Sequence, residues 1–200
     1  MNIKKISKII ALVFVIGGFV LILGKRAWFP DFYNPIYNGI MAFVSTFLII
    51  LPRLIFKPKD SEQEKILDLV QAGALIVLSL SALGGLGLFQ LYKFGFQYDK
   101  LVHFVASAIF TIAAMKLCQQ WYKMSFKKSI ILSIIIIFLA GIAWELYEFL
   151  ADVLFGTQMF GVYGQYIIKD TTWDIIMNCL GIVAAVAGLS IFKNRNTEIK

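Results

Sequence analysis

Residues 130–152 read IILSIIIIFLAGIAWELYEFLAD, and this stretch decides the fold class. Up to residue 143 it contains no charged side chain. Such a run is typical of a helix that crosses a lipid bilayer, which requires about 20 predominantly apolar residues. Three carboxylates, Glu145, Glu148 and Asp152, follow at its end. The stretch therefore predicts a membrane-spanning helix that ends in a row of acids.

The composition extends this prediction to the whole chain. Of its 200 residues, 60% are hydrophobic and 16% are charged, whereas soluble domains are about half apolar and a quarter charged. We expect an all-α, polytopic transmembrane helical bundle that forms a single integral membrane domain over residues 1–200. The apolar runs predict six spans, at about residues 6–24, 36–56, 66–92, 101–119, 128–151 and 173–192. The first follows three lysines as a signal peptide does, but it lacks an A-x-A-like cleavage site and is interpreted as an uncleaved span.

The distribution of lysine and arginine predicts the orientation. The two terminal segments carry three each, and the loops after spans two and four carry four each. The other three loops share the remaining five of the 19 basic residues. Because cytoplasmic segments are enriched in lysine and arginine, both termini are expected in the cytoplasm.

Charge and cysteine content exclude two classes of function. The net charge is +7, but no basic face with interleaved aromatic residues exists outside the loops, so no nucleic-acid partner is expected. Contact with membrane lipids accounts for the basic residues. Cys118 and Cys179 lie in separate predicted spans without CxxC spacing, which argues against a disulfide framework or a thiolate metal site.

The acids of span five are predicted to lie at the outer membrane boundary. Glu145 follows Lys127, which marks the cytoplasmic start of that span, by 18 residues. At about 1.5 Å per residue this separation is about 27 Å, close to the ~30 Å thickness of the hydrocarbon core. Glu145, Glu148 and Asp152 are spaced i, i+3 and i+7, and so share one helix face.

Spans four and six bring further polar side chains to the same level. Asp99 and His103 lie at i and i+4 in YDKLVHF, at the start of span four. Asp174 and Asn178 have the same spacing in KDTTWDIIMNCLG, at the start of span six, with Asp170 one turn earlier. Because carboxylates that face lipid are costly, we expect the three faces to meet around a counter-charge. His103, Lys100, Lys169 or a bound cation could supply it.

Three interpretations of this cluster remain open. The first is a cation or metal site, since carboxylate, amide and one imidazole suit Mg²⁺, Ca²⁺, Mn²⁺ or Zn²⁺. The ligands would be Asp99, His103, Glu145, Glu148, Asp174 and Asn178. His103, Glu145 and Glu148 are also the candidate catalytic residues, with either glutamate as general base for a metal-activated water. The second is cation or proton transport, and the third is a structural hydrogen-bond network in a non-catalytic assembly protein.

The same three segments carry a family resemblance. DKLVHF, WELYEFLAD and DTTWDIIMNCLG resemble the YjdF-type family of bacterial inner-membrane proteins. The DKxxHF and DxxxNxxG elements resemble the wider VanZ-like group, some of whose members are associated with glycopeptide resistance. The resemblance covers about residues 95–190 and implies a location in the bacterial cytoplasmic membrane and the same six site residues, but no reaction. An outward-facing site that binds or hydrolyses a lipid or cell-envelope component is the function we expect. The oligomeric state does not follow from the sequence.

Overall fold

The computed structural model describes residues 2–25, 28, 34–157, 159 and 167–198. For residues 167 and 192–198 it describes the backbone alone. Over these residues the chain forms six α-helices and one 3₁₀ helix, and no strand. Each α-helix contains a segment that is long and apolar enough to cross a membrane, as predicted. The helices are α1 (Ile3–Leu23), α2 (Pro35–Ile55), α3 (Ser61–Gly85), α4 (Tyr98–Trp121), α5 (Phe126–Phe155) and α6 (Ile167–Glu198), and the 3₁₀ helix is Leu88–Phe94.

Side-chain caps define the first turns of three helices. Asn2 and Asn34 accept hydrogen bonds from the backbone N–H groups of Lys5 and Tyr37, at 3.3 and 3.0 Å. Asp60 accepts one from Gln63 at 2.8 Å. Each cap satisfies an N–H group that has no partner within its own helix, so α1, α2 and α3 begin where the sequence supplies a capping side chain.

The third helix is shorter than the expected 66–92 at its C-terminal end. It ends at Gly85, and the chain continues through Gly87 into the 3₁₀ helix. Gly87 has φ +130°, a conformation that side chains with a Cβ rarely adopt. Hydropathy alone misses this break because the 3₁₀ segment is as rich in apolar residues as the helix before it.

Helix α4 packs against α3, α5 and α6, while α1 and α2 pack against each other and contact α3. Helices α4 and α6 lie close together at Gly181, where a Cβ would collide with the backbone oxygen of Phe104. Many apolar side chains point outward, among them Leu139 and Leu154, which are 57% and 68% exposed. Such a surface is stable against lipid tails and not in water.

One end of the bundle is held by Arg53 of α2. Its guanidinium binds Glu64 at 2.9 Å, Gln71 at 2.7 Å and also Asp68, all on α3. The start of α1 lies at the same end, since Lys4 Nζ is 2.8 Å from Glu64 Oε1. That it faces the cytoplasm stays a prediction from the lysine and arginine distribution.

Candidate functional site

Polar side chains gather at the opposite end of the bundle, where α4 and α6 begin and α5 approaches its C-terminus. The first turns of α4 carry Asp99, Lys100 and His103. The chain forms helix from Ile167, so that Asp170 lies in the first turn of α6 and Asp174 one turn further on. Helices α4 and α6, which begin here, and α5, which ends here, thus bring polar groups together at one end of the bundle, as the sequence predicted.

Lys100 lies at the centre of one part of this cluster. Its Nζ atom is 2.6 Å from Asp170 Oδ1, 2.7 Å from Asp174 Oδ2 and 3.2 Å from Asp99 Oδ2. The residue is only 8% exposed. Of the counter-charges that the sequence offered, Lys100 makes the shortest contacts with the acids among the described residues. Sequence reasoning did not include it among the site residues, because a lysine near a helix end usually extends toward the membrane surface.

His103 lies between the acids of α6 and those of α5. Its Nε2 atom is 3.5 Å from Asp174 Oδ1 and 3.7 Å from Asp99 Oδ1. Its Nδ1 atom, on the other side of the ring, is 3.9 Å from Glu145 Oε1. The imidazole is buried, and each of its two nitrogens therefore faces a different group of carboxylates.

Glu145 and Glu148 are both buried, at 5% and 6% exposure. Trp144 donates a hydrogen bond from Nε1 to Glu148 Oε1 at 2.7 Å. This bond gives Trp144 a direct contact with the cluster. Within the described part of the chain, Glu145 Oε1 and Asp174 Oδ1 are buried and accept no hydrogen bond.

Asn178 lies one turn further along α6 than Asp174. Its Oδ1 atom accepts a hydrogen bond from Ser107 Oγ of α4 at 2.6 Å. A Cβ at Gly141 would lie 2.9 Å from Asn178 Nδ2. Asn178 therefore occupies the space that a glycine on α5 leaves open, and it links α4 to α6 beneath the acids.

The donor atoms fall into two sets that share His103. The α4–α6 half consists of Asp99, His103 and Asp174, and the α4–α5 half of His103, Glu145 and Glu148. In each half, one donor atom from every residue lies within 4.8 Å of the others. Five of the six predicted metal ligands thus lie in two groups compact enough to surround a cation. Their roles as ligands or catalysts stay predictions.

Asp152 does not join this cluster, although it shares the predicted face with Glu145. Its Oδ1 atom accepts hydrogen bonds from Thr157 Oγ1 at 2.6 Å and from Met159 N at 2.7 Å. Gly156, with φ +63°, ends α5 and turns the chain back so that these donors reach the carboxylate. Asp152 therefore binds Thr157 and Met159, just after the end of α5.

Fold and site together define a polytopic α-helical membrane protein with a buried acidic cluster at one end. A family model described as "Predicted membrane protein (DUF2238)" matches residues 6–195. The chain belongs to this family, which is the YjdF-type family predicted from its motifs. No curated protein and no solved structure matched the chain. The family match includes the first three helices, which the motifs did not cover.

Proposed function

We propose that this protein binds a divalent cation in the α4–α5 half of the site, at the outer membrane boundary. With that ion it binds or hydrolyses a lipid or cell-envelope component. The observation that carries the proposal is the convergence of three buried donors, His103, Glu145 and Glu148, from two helices. Glu145 Oε1, one of these donors, is buried and accepts no hydrogen bond among the described residues.

The balance of charge supports a cation. Five acids surround the site, and the described residues supply one lysine and one histidine as counter-charges. Lys100 contacts three of the acids, but in the described part of the chain no lysine or arginine lies within 4.0 Å of Glu145 or Glu148. Burial of ionised carboxylates whose charge is not fully balanced costs several kcal/mol. A divalent ion between the two glutamates would remove that cost.

The donor types restrict the identity of the ion. Two carboxylates and one imidazole could hold Zn²⁺ through three protein ligands, which leaves a coordination position for water. The same donors also suit Mn²⁺, and with additional waters Mg²⁺ or Ca²⁺. Such an ion would supply a nucleophilic hydroxide from bound water. The oxygen of Glu145 or Glu148 that does not bind the ion would accept the proton.

The position of the site supports an amphipathic substrate. Trp144 and Trp173 flank it and are 40% and 48% exposed, as expected for tryptophans at the level of lipid headgroups. The Asp99 side chain is 33% exposed, so the cluster is open toward the end of the bundle. A lipid headgroup or an envelope component linked to a lipid would reach the donors from that side. The motif resemblance to the VanZ-like group is compatible with an envelope substrate.

Metal analysis of the purified protein tests the proposal. We expect the detergent-solubilised protein to retain about one Mn²⁺ or Zn²⁺ per chain after equilibrium dialysis. Glu145→Gln should weaken the affinity at least 10–100-fold, because loss of a group that only orients a ligand already has an effect of about that size. Glu62→Gln is the matched control, since Glu62 is exposed at the other end of the bundle.

If the wild type retained none of Mn²⁺, Zn²⁺, Ca²⁺ or Mg²⁺ at millimolar concentrations, the cation proposal would be wrong. The same holds if Glu145→Gln and Glu62→Gln bound metal equally well. Cation flux into proteoliposomes that Glu145→Gln abolishes would indicate transport as the function of a bound ion. If neither metal binding nor cation flux were found, a structural hydrogen-bond network would remain as the interpretation of the cluster.

A further inference from the structure

We propose that Lys100 acts as a built-in cation that fills the α4–α6 half of the site and confines metal binding to the α4–α5 half. This inference rests on the cation function proposed above. It goes further by assigning the ion to one of two donor sets of similar size. Lys100 is then the residue that determines how many ions the site holds.

The contacts of Lys100 are those of a bound cation. A lysine ammonium has three N–H donors, and three side-chain oxygens from Asp99, Asp170 and Asp174 lie within 3.2 Å of Nζ. These carboxylates come from two helices, so the ammonium links α4 to α6. Its burial keeps the positive charge among the acids, where water cannot replace it as a partner.

A second cation in the α4–α6 half would compete directly with this ammonium. The Oδ2 atoms of Asp99 and Asp174 bind Lys100 Nζ, and the Oδ1 atoms of the same two carboxylates face His103 Nε2. An ion held by the Oδ1 atoms would lie beside a positive charge held by the same carboxyl groups. Like charges at such separations repel strongly in a buried site, which disfavours metal there.

The orientation of His103 favours the other half. Its Nδ1 atom faces Glu145, and its Nε2 atom faces Asp174 and Asp99. Metal-binding histidines usually direct one nitrogen at the ion and donate the N–H of the other to a carboxylate or carbonyl. The geometry therefore assigns Nδ1 to the metal and the Nε2 proton to Asp174 Oδ1, which accepts no hydrogen bond among the described residues.

The stoichiometry of Mn²⁺ binding tests the role of Lys100. Equilibrium dialysis of the full-length protein in detergent should give about one Mn²⁺ per chain for the wild type. It should give about two for Lys100→Met, in which a second ion can replace the ammonium among Asp99, Asp170 and Asp174. Methionine keeps an unbranched side chain, one atom shorter than that of lysine, and removes the charge. Lys93→Met is the matched control, since Lys93 is an exposed lysine near the same end of the bundle, and it should bind one. Lys100→Arg, which keeps the charge, should also bind one.

The removal of a buried charge could prevent folding, so a second variant accompanies the first. In Lys100→Met/Asp170→Asn one acid is neutralised together with the lysine, while the carboxylates of Asp99 and Asp174 remain available to a second ion. A single peak in size-exclusion chromatography establishes that a variant is folded, and this variant should also bind two ions.

The outcomes separate this inference from the proposed function. One Mn²⁺ in the wild type and in every folded Lys100 variant would overturn the role of Lys100 and leave the cation function in place. Two Mn²⁺ in the wild type would overturn it as well. No Mn²⁺ in the wild type but one in Lys100→Met would refute the proposed function, while showing that Lys100 occupies a cation site.

Discussion

Substitution of Gly181 by alanine tests the contact that positions α6 against α4. The added methyl group would collide with the backbone oxygen of Phe104, and it would lie 3.1 Å from both Ala108 N and Ser107 Cβ. Backbone atoms of a helix cannot rotate away as the end of a side chain can. The two helices would have to separate by on the order of 1 Å to reach ordinary contact distances.

The expected cost follows from this overlap. Overpacking typically destabilises a protein by about 1–3 kcal/mol, while glycine-to-alanine replacement in a helix gains up to about 1 kcal/mol in propensity. Gly188, also on α6, has no atom within 4 Å of the position of an added Cβ. Gly188→Ala should therefore gain helix propensity without a steric overlap. The two variants should thus differ by about 1–3 kcal/mol. At roughly 2–4 °C per kcal/mol for a chain of this size, their unfolding temperatures should differ by about 2–12 °C.

Thermal unfolding in one detergent, followed by intrinsic tryptophan fluorescence, measures this difference. Gly141→Ala adds an intermediate case, because its methyl would meet Nδ2 of Asn178, a side-chain atom that can move, at 2.9 Å. The order of stability should be Gly188→Ala, then Gly141→Ala, then Gly181→Ala. If Gly181→Ala unfolded at or above the temperature of Gly188→Ala, the close contact of α4 with α6 would be wrong, and with it the placement of Asp174 beside Lys100.

Two further predictions concern the site and its orientation. Trp144→Phe keeps an aromatic ring but removes the 2.7 Å hydrogen bond to Glu148, so it should weaken metal binding about 10–100-fold. Trp173→Phe on α6 is the control. Equal metal affinities of the two variants would exclude a role for the Trp144 N–H group. In intact cells, a membrane-impermeant maleimide should label a cysteine at exposed Lys169 and not one at exposed Lys59, in a variant without the native cysteines. The reverse labelling would place the site on the cytoplasmic side.

The sequence predicted those features that depend on hydropathy and on spacing within one helix. The number of spans follows from apolar runs, and the level of the acids follows from the rise per residue along α5. The shared faces of Asp99 with His103, and of Asp174 with Asn178, follow from the helical repeat. None of these inferences requires knowledge of how one helix is rotated against another.

Features that depend on rotation between helices, or on a single backbone angle, were not predictable. Lys100 was one of several counter-charges that the sequence offered, and only the packing of α4 on α6 selects it by bringing its ammonium to Asp170 and Asp174. Asp152 leaves the cluster because Gly156 turns the chain so that Thr157 reaches its carboxylate. In both cases the deciding partner comes from outside the helix on which the pattern was read.

The unequal pairing of the acids is the reason to look beyond a structural role. Three carboxylates around one buried ammonium explain how α4 and α6 are joined, since each oxygen that binds Lys100 has a charged partner. The same explanation fails for α5. A structural contact there would be satisfied by neutral side chains, which pack into a membrane bundle at less cost than ionised ones. Instead α5 presents two buried glutamates to a histidine that is shared with the first group, and Glu145 Oε1 accepts no hydrogen bond among the described residues. Among the described residues, the buried carboxylates without a lysine or arginine partner therefore lie in the α4–α5 half. That half is where a bound cation would contribute most to stability.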